Sequence, residues 1–213
     1  MRRVAIGGDP SANLMALADA AAVIRRGGVV AIPTDTLYGL AVDPFSPAAI
    51  SRLFDVKGRP AARAVALVAA DVEQVTSQLG ALPPTAQRLA AKYWPGPLTL
   101  LVARPASIPA ELTGGSGQVG VRVSADEVTR ELCRVCGHVL TATSANISGE
   151  PASDDPDHIA RALATSGVEL LLDAGKTPGG PPSTIVAVLH DGVRLVRPGA
   201  IPWEEVEACA QEK

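Results

Sequence analysis

The sequence predicts an α/β fold in which a twisted, mixed β-sheet is flanked by helices, within a single domain over residues 1–213. Short apolar runs alternate with longer segments of helical periodicity, a pattern typical of strands joined by crossover helices. Near the end, Asp191-Gly192 separates two apolar runs in the manner of a hairpin, so the sheet should be mixed. A chain of 213 residues suits one domain with an ample core, and no repeat or linker divides it.

Each predicted element has a local signal. Apolar residues at helical spacing, stopped by Gly27-Gly28, predict a helix over 11–26. Ser46-Pro47 supplies a cap and a first turn for a helix over 47–56. Further helices are predicted to begin at 71 and to cover 84–92, 126–136, 156–164 and 202–212. Strands are predicted over 4–6, 28–33, 64–68, 98–103, 119–123, 138–142, 168–173, 185–189 and 193–196.

The composition argues against several classes of protein. Apolar residues make up 47% of the chain and aromatic residues only 3%, which indicates an aliphatic core. The formal charge of −3 and the pI of about 5.6 argue against a strongly basic coat for nucleic acid. The sequence has neither a signal-peptide pattern nor a membrane-spanning pattern, and three cysteines fit a reducing compartment better than a disulfide framework. We therefore expect a cytoplasmic protein with no membrane partner.

The stretch Pro33–Leu40 is the first candidate site. It follows a buried apolar strand and holds two threonines, an aspartate and a tyrosine within five residues. In open α/β sheets, ligands bind at the ends of strands. Thr34, Thr36 and Tyr38 are therefore candidate binding residues, although local capping of the turn explains each threonine taken singly.

Two further stretches carry isolated cations. Lys57-Gly58-Arg59-Pro60 places a lysine and an arginine on a stiff turn after the helix over 47–56. These cations indicate an anionic ligand, but a helix C-terminus also favours positive charge, so dipole capping is the alternative. Arg122 presents a similar choice within its strand. It is either an exposed edge residue or a buried clamp that grips carboxylate or phosphate with two bonds.

Polar groups also mark the ends of other strands. Ser144 and Asn146 follow one apolar strand in the run Thr143–Gly149. Ser183 precedes a late strand, and Arg197 follows the last one. If these strand ends converge, they form one large concave cavity that is rich in hydroxyls and arginines.

Several other chemistries fit the sequence poorly. Cys133-x-x-Cys136 has no second ligand pair nearby, so core thiols are favoured over zinc. Gly175-Lys176-Thr177 lacks the first glycine of a phosphate-binding loop. Ser144 is outside any G-x-S-x-G motif, and the three histidines lie away from the polar loops. Cations and hydroxyls without a base or nucleophile suit phosphoryl or nucleotidyl transfer, in which positioning and charge neutralisation dominate catalysis.

Seven motifs, in the same order, resemble those of the YrdC/TsaC family of L-threonylcarbamoyladenylate synthases over residues 14–201. They are Pro33–Leu40, Lys57–Pro60, Trp94–Thr99, Val119–Arg122, Thr143–Gly149, Pro182–Thr184 and Arg197–Gly199. The chain looks like the single-domain form, without the C-terminal extension of longer relatives. Val68 and Gln118 depart from the pattern, because many relatives have histidine at the first position and serine or threonine at the second. These departures bear on the contacts to threonine and adenylate.

The resemblance implies a YrdC-like fold and a specific reaction. The amine of L-threonine and bicarbonate would give a carbamate, whose oxygen attacks the α-phosphate of ATP, with Mg²⁺ on the phosphates. Threonylcarbamoyl-AMP and pyrophosphate would leave. A downstream threonylcarbamoyl transferase complex would then use the product to modify adenosine in tRNA.

The resemblance also implies a role for each matching residue. Thr36 would bind the threonine substrate, with Thr34 and Tyr38 shaping that pocket, and Arg122 would reach its carboxylate or the nucleotide. Lys57 and Arg59 would be the catalytic cations on the phosphates. The nucleotide-binding set implied by family position is Lys57, Arg59, Arg63, Ser144, Asn146, Ser183 and Arg197.

Two other functions remain open from the sequence alone. One is an RNA-binding module of the same fold, in direct contact with tRNA or another RNA. The other is a nucleotide-binding paralogue that acts on a different carbamoyl acceptor. Residues 105–117 end in a glycine-rich run that suits either a lid over the site or a simple flexible connection.

Overall fold

Strands and helices alternate along the chain, as predicted. The computed structural model describes residues 1–58, 64–190 and 192–212. The strands are β1 (Arg2–Ala5), β2 (Val29–Ile32), β3 (Gly39–Ala41), β4 (Ala66–Ala69), β5 (Leu98–Ala103), β6 (Gln118–Val123), β7 (Leu140–Ser144), β8 (Val168–Asp173), β9 (Thr184–Leu189) and β10 (Gly192–Arg197). The α-helices are α1 (Pro10–Arg25), α2 (Pro47–Lys57), α3 (Val72–Leu79), α4 (Pro84–Tyr93), α5 (Glu127–Cys136), α6 (Pro156–Ala162) and α7 (Trp203–Gln211), and Ala110–Thr113 forms a 3-10 helix.

The strands form one mixed sheet in the order β1-β8-β2-β3-β7-β4-β6-β5-β9-β10. Parallel pairs join β8 to β1 and β2, β4 to β6, and β5 to β9, whereas the other neighbours are antiparallel. The predicted mixed α/β sheet is thus confirmed. Strand β3 was not predicted, because three residues are too few to stand out as an apolar run. It pairs with β2 and β7, so the loop over 33–38 projects from the middle of the sheet.

The two faces of the sheet are covered differently. Alternate residues of β4 show the division, since Leu67 and Ala69 belong to one core cluster and Val68 to the other. The larger cluster contains side chains from α2, α3, α4, α6 and α7. The smaller cluster is formed largely by α1 and α5, which cover only part of their face. Arg122 lies between two residues of the larger cluster, Val121 and Val123, so it points to the less covered face.

Helix caps fix the ends of the two helices nearest the candidate site. Helix α2 begins after Ser46, whose Oγ accepts from the Ala49 amide at 3.3 Å. It ends at Gly58, whose φ of 59° lies in the left-handed region, and Lys57 is therefore its last residue. Helix α5 begins after Asp126, whose carboxylate accepts from the Thr129 amide at 2.8 Å.

The segment over 105–117 is anchored to the rest of the chain. Ile108 and Leu112 are completely buried in the larger core cluster. The Val65 amide also donates to the Leu112 carbonyl at 2.8 Å. In the ranges that the structure describes, the helices lack the combination of length and apolar character that a bilayer span requires.

Candidate functional site

The strand ends that the sequence singled out meet at one cavity of about 260 Å³ on the less covered face of the sheet. Its lining includes seven predicted site residues, namely Thr34, Thr36, Tyr38, Arg122, Ser144, Ser183 and Arg197. Thr99 of β5 also lines the cavity, and the sequence reasoning gave it no role. Arg59 and Arg63 lie outside the described residues. Lys57 and Asn146 are described but are not part of this lining. The predicted convergence of strand ends is therefore confirmed for the other described candidates.

The two threonines of the loop over 33–38 differ in how their hydroxyls are used. Thr34 Oγ1 donates to the Leu37 carbonyl at 2.7 Å and accepts from the Thr36 amide at 3.2 Å. Thr34 therefore caps its own turn, as the local alternative predicts. The Thr36 hydroxyl is 3.3 Å from that of Thr34 and is 6% exposed as a residue, so it faces the cavity with bonding capacity to spare.

The turn after β8 is hydrogen-bonded to the loop over 33–38 and supports it. Thr177 Oγ1 and the Gly179 amide both donate to the Thr36 carbonyl at 2.8 Å. The Tyr38 hydroxyl donates to the Gly175 carbonyl at 2.7 Å and accepts from the Ala174 amide at 3.2 Å. Burial raises the pKa of Tyr38 to about 12, so the phenol is neutral at physiological pH. Tyr38 thus shapes the cavity through its ring and backbone, whereas its hydroxyl holds the supporting turn.

Thr177 belongs to the functional residues that sequence reasoning missed. As a motif, Gly175-Lys176-Thr177 resembles only a phosphate-binding loop, and the missing first glycine argues against that role. A signal was nevertheless present, because a polar, proline-bounded turn directly follows the buried strand β8, as polar residues follow β2. No sequence pattern identified the carbonyl of Thr36 as the partner, 141 residues away.

Lys57 connects α2 to the end of β7. Its Nζ donates to the Ser144 carbonyl at 2.6 Å and to Asn146 Oδ1 at 2.8 Å, and the residue is only 2% exposed. Ser144 Oγ also donates to Asn146 Oδ1 at 2.5 Å. The ammonium therefore bonds to the end of strand β7. Capping of the dipole of its own helix, α2, does not explain this contact. Through these bonds, Lys57 fixes the position of the Ser144 hydroxyl at the cavity wall.

Arg122 lies on an interior strand, so the interpretation as an exposed edge residue is wrong. Strand β6 is flanked by β4 and β5, and Arg122 is 7% exposed. Burial lowers the pKa of its guanidinium, and the nearby carboxylate of Asp35 opposes that shift. Arg122 Nη1 is 3.4 Å from Asp35 Oδ1. The side chain therefore matches the predicted alternative of a buried clamp that faces a ligand cavity.

Arg197 brings a second guanidinium to the same cavity. Its Nη2 donates to the Ser183 carbonyl at 2.6 Å and to Ser183 Oγ at 3.1 Å. Ser183 Oγ is in turn 2.9 Å from Thr99 Oγ1. Burial lowers the pKa of Arg197, and the positive charge of Arg122 lowers it further. Two cations that disfavour each other across one cavity favour an anionic ligand between them.

The cysteine pair considered as a zinc site, Cys133 and Cys136, is not part of the cavity lining. Cys133 is completely buried in the smaller core cluster, where burial raises the pKa of its thiol, and its Sγ donates to the Val68 carbonyl at 3.6 Å. The interpretation of Cys133 as a core thiol is confirmed. Val68 is also fully buried in that cluster. Among the residues that the structure describes, no group of three or more His, Cys, Asp or Glu side chains could hold a metal ion.

Comparisons with known proteins agree with this geometry. The Sua5/YciO/YrdC family model, described as "Telomere recombination", matches residues 22–199. The chain is 37% identical over 193 residues to a threonylcarbamoyl-AMP synthase of Pyrococcus abyssi, covering 91% of this chain and 56% of the relative. It is 34% identical over 199 residues to the synthase of Bacillus subtilis, covering 93% of this chain and 57% of the relative.

A solved structure shows the same fold. The crystal structure of Pyrococcus abyssi Sua5 complexed with L-threonine superposes with a TM-score of 0.89 at 34% identity, covering 99% of this chain and 61% of that one. The chain thus spans a little over half the length of these relatives. Because the family model matches most of the sequence and the motifs meet at one cavity, the chain belongs to the Sua5/YciO/YrdC family.

Proposed function

We propose that this chain is an L-threonylcarbamoyladenylate synthase, which forms threonylcarbamoyl-AMP and pyrophosphate from L-threonine, bicarbonate and ATP. The observation that carries the proposal is that two guanidiniums, the buried Arg122 and the more exposed Arg197, line one hydroxyl-rich cavity. All three substrates are anionic at the groups that must be held. The relatives from Pyrococcus abyssi and Bacillus subtilis supply the identity of the reaction, and their names include the product.

In the proposed reaction, the amine nitrogen of threonine bonds to the carbon of bicarbonate, and water leaves to give a carbamate. A carbamate oxygen then attacks the α-phosphorus of ATP, the bond to the β-phosphate bridge breaks, and pyrophosphate leaves with the electron pair. The reacting groups come from the substrates themselves. The chain needs to align them and to stabilise negative charge, which oriented cations and hydroxyls do well in a partly dry cavity.

The described residues divide this task between two ends of the cavity. Thr36, with Thr34 and Tyr38 behind it, forms the amino-acid end, and Arg122 lies beside this loop through its contact with Asp35. Ser144 lies on the cavity wall, where Lys57 fixes it, and Asn146 is bonded to both residues. Ser144 and Asn146 would meet the nucleotide and its α-phosphate. At the opposite wall, Ser183 and Arg197 would contact the phosphates of ATP. Arg59 and Arg63 keep their predicted phosphate-binding roles as part of this proposal.

Mg²⁺ enters the proposed reaction as part of the ATP substrate. The described lining of the cavity contains hydroxyls and guanidiniums but no carboxylate. Mg²⁺ is usually bound through one or two carboxylates together with phosphates and water. The donors of the cavity therefore do not fit a resident metal, and the protein's own contribution rests on its cations and hydroxyls.

The same surface gives little support to the RNA-binding alternative. Each of the six aromatic residues of the chain is buried or half-buried. Proteins that hold single-stranded nucleic acid usually stack bases on exposed aromatic rings and surround them with positive charge. The formal charge of this chain is −3. A nucleotide or amino-acid ligand within the cavity is the better match.

The test is a complete-reaction assay with single omissions. Purified protein receives ATP, Mg²⁺, bicarbonate and labelled L-threonine, and both pyrophosphate and the labelled adenylate are measured. We expect both products only when every substrate is present. Pyrophosphate release without threonine would indicate another acceptor, as in the paralogue alternative. Absence of turnover together with salt-sensitive RNA binding would favour the RNA-binding module.

A further inference from the structure

Asp35 is located between two threonines of the cavity loop, yet its carboxylate is not part of the described cavity lining. The side chain is 6% exposed. Its Oδ1 accepts from Ser124 Oγ at 2.8 Å and lies 3.4 Å from Arg122 Nη1. Its Oδ2 is buried and has no hydrogen-bond partner within the described ranges. A buried carboxylate with one oxygen unpaired is costly, so its retention needs an explanation.

The neighbouring arginine supplies that explanation. The Arg122 side chain is 8% exposed, and burial of a guanidinium without a counter-charge is strongly unfavourable in a protein interior. In the part of the chain that the structure describes, Asp35 is the acidic residue within ion-pair distance of it. Without Asp35, the guanidinium would gain by rotating towards water and away from its present position.

The geometry of the pair leaves Arg122 available to a ligand. The contact involves one nitrogen and one oxygen at 3.4 Å, which is looser than the two short parallel bonds of a bidentate arginine–carboxylate pair. A bidentate grip would occupy the edge of the guanidinium that binds carboxylates best. The single long contact leaves the other N–H groups of this cavity-lining side chain without a second carboxylate partner within the described residues.

Ser124 in turn fixes the carboxylate. The Ser124 hydroxyl donates to Asp35 Oδ1, and it accepts from the Asp35 amide at 3.3 Å and from the Asp126 amide at 3.2 Å. Ser124 is completely buried. The start of α5 is thereby tied to the cavity loop, and Thr129 Oγ1 adds a bond to the Pro33 carbonyl at 2.5 Å. Asp35 is thus held from one side by α5 and contacts Arg122 on the other.

We propose that Asp35 is a positioning residue that holds the Arg122 guanidinium at the amino-acid end of the cavity, ready to bind the carboxylate of the substrate. The inference rests on the proposed function for the identity of that substrate. Asp35 touches no substrate itself and acts through Arg122. Its loss therefore weakens binding of the amino acid more than it slows the chemical step.

A double-mutant cycle tests this. The variants are D35A, R122Q and the double variant, with D35N as a conservative substitution that retains an acceptor for Ser124 and Arg122. L-Threonine binding is measured by calorimetry without ATP, and KM and kcat are measured in the complete assay. We expect D35A to weaken threonine binding about tenfold, the size of one charge-assisted contact, with a smaller change in kcat. D35N should fall between D35A and the wild type.

The cycle separates positioning from a general structural role. If Asp35 acts through Arg122, adding D35A to R122Q changes threonine affinity by less than about twofold, since coupled residues are not additive. Additive losses, or loss of kcat at unchanged KM, would overturn the inference. Thermal denaturation identifies a variant that has unfolded. If D35A is unfolded, D35N replaces it in the double-mutant cycle. Wild-type protein that binds threonine without turnover would contradict the proposed function alone, whereas absence of threonine binding would contradict both.

Discussion

Replacement of Lys57 by methionine should lower both stability and turnover. K57M keeps most of the side-chain volume but removes the ammonium that bonds to the Ser144 carbonyl at 2.6 Å and to Asn146 Oδ1 at 2.8 Å. Asn146 Oδ1 retains the bond from Ser144 Oγ, so the Ser144 carbonyl is the acceptor that loses most. A hydrogen bond to a charged group contributes about 1.5–3 kcal/mol, and we expect a loss of about 2 kcal/mol in the free energy of unfolding.

That loss can be measured separately from the effect on catalysis. For a chain of this size, about 2 kcal/mol corresponds to a Tm that is lower by roughly 4–8 °C. The protein therefore stays folded at room temperature, where turnover is assayed. Removal of one preorganised charge or donor from a reaction centre commonly reduces kcat by about 10²–10³-fold, and we expect a loss in this range.

K92M is the matched control. Lys92 is on the exposed surface of α4, away from the cavity lining, so its replacement should change neither kcat nor Tm appreciably. A K57M protein that is less stable but retains wild-type kcat would show that Lys57 only joins α2 to β7. Equal losses in K57M and K92M would contradict the reasoning entirely.

Two further predictions concern the turn that supports the cavity loop. Y38F loses the bonds to Gly175 and Ala174 and should be about 1–2 kcal/mol less stable by chemical denaturation. Because the pKa of Tyr38 is about 12 when folded and about 10 when unfolded, wild-type stability should fall as pH rises between these values. Burial also raises the pKa values of Tyr93 and of the Cys133 and Cys136 thiols, so Y38F should lose only the part of this dependence that Tyr38 contributes, whereas T76V should keep all of it. An unchanged slope in Y38F would refute the assignment. T177V removes one of two donors to the Thr36 carbonyl and should raise the KM for threonine a few-fold, by about 1 kcal/mol, whereas T76V, on the surface helix α3, should not. Equal KM values in T177V and the wild type would show that the Gly179 amide alone suffices.

The sequence predicted the parts of the molecule whose signals are local. Apolar runs identified every strand except β3, and the limits of β5 and β8 were predicted to the residue. The cap residues Ser46 and Asp126 marked the starts of α2 and α5 because their side chains bond to amides three residues ahead. Strand β7 was predicted at 138–142 but covers Leu140–Ser144, since its polar last residues, Thr143 and Ser144, pair with β3. Pairing, rather than composition, sets that boundary.

The sequence predicted residues of the candidate site but not the contacts that hold these residues in position. Hydroxyls and cations at strand ends are visible as unusual residue types after apolar runs, and the structure brings the described ones together. Whether Arg122 was an edge residue or a buried clamp depended on which strands flank β6, and those neighbours are distant in sequence. The pairing of Asp35 with Ser124, 89 residues away, has the same non-local origin.

At each wall of the cavity, a lining residue is held in position by a second residue. Thr36 is held by Thr177, Ser144 by Lys57, Ser183 by Arg197 and Arg122 by Asp35. The sequence separations of Lys57–Ser144 and Thr36–Thr177, 87 and 141 residues, mean that these contacts form only when the sheet has assembled. A site held in this way is positioned before any ligand arrives, which is what the proposed reaction of three bound anions would need from its protein. We infer that the geometry of the cavity depends on the pairing of β2, β3, β7, β4 and β6 within the sheet, more than on the conformation of any single loop.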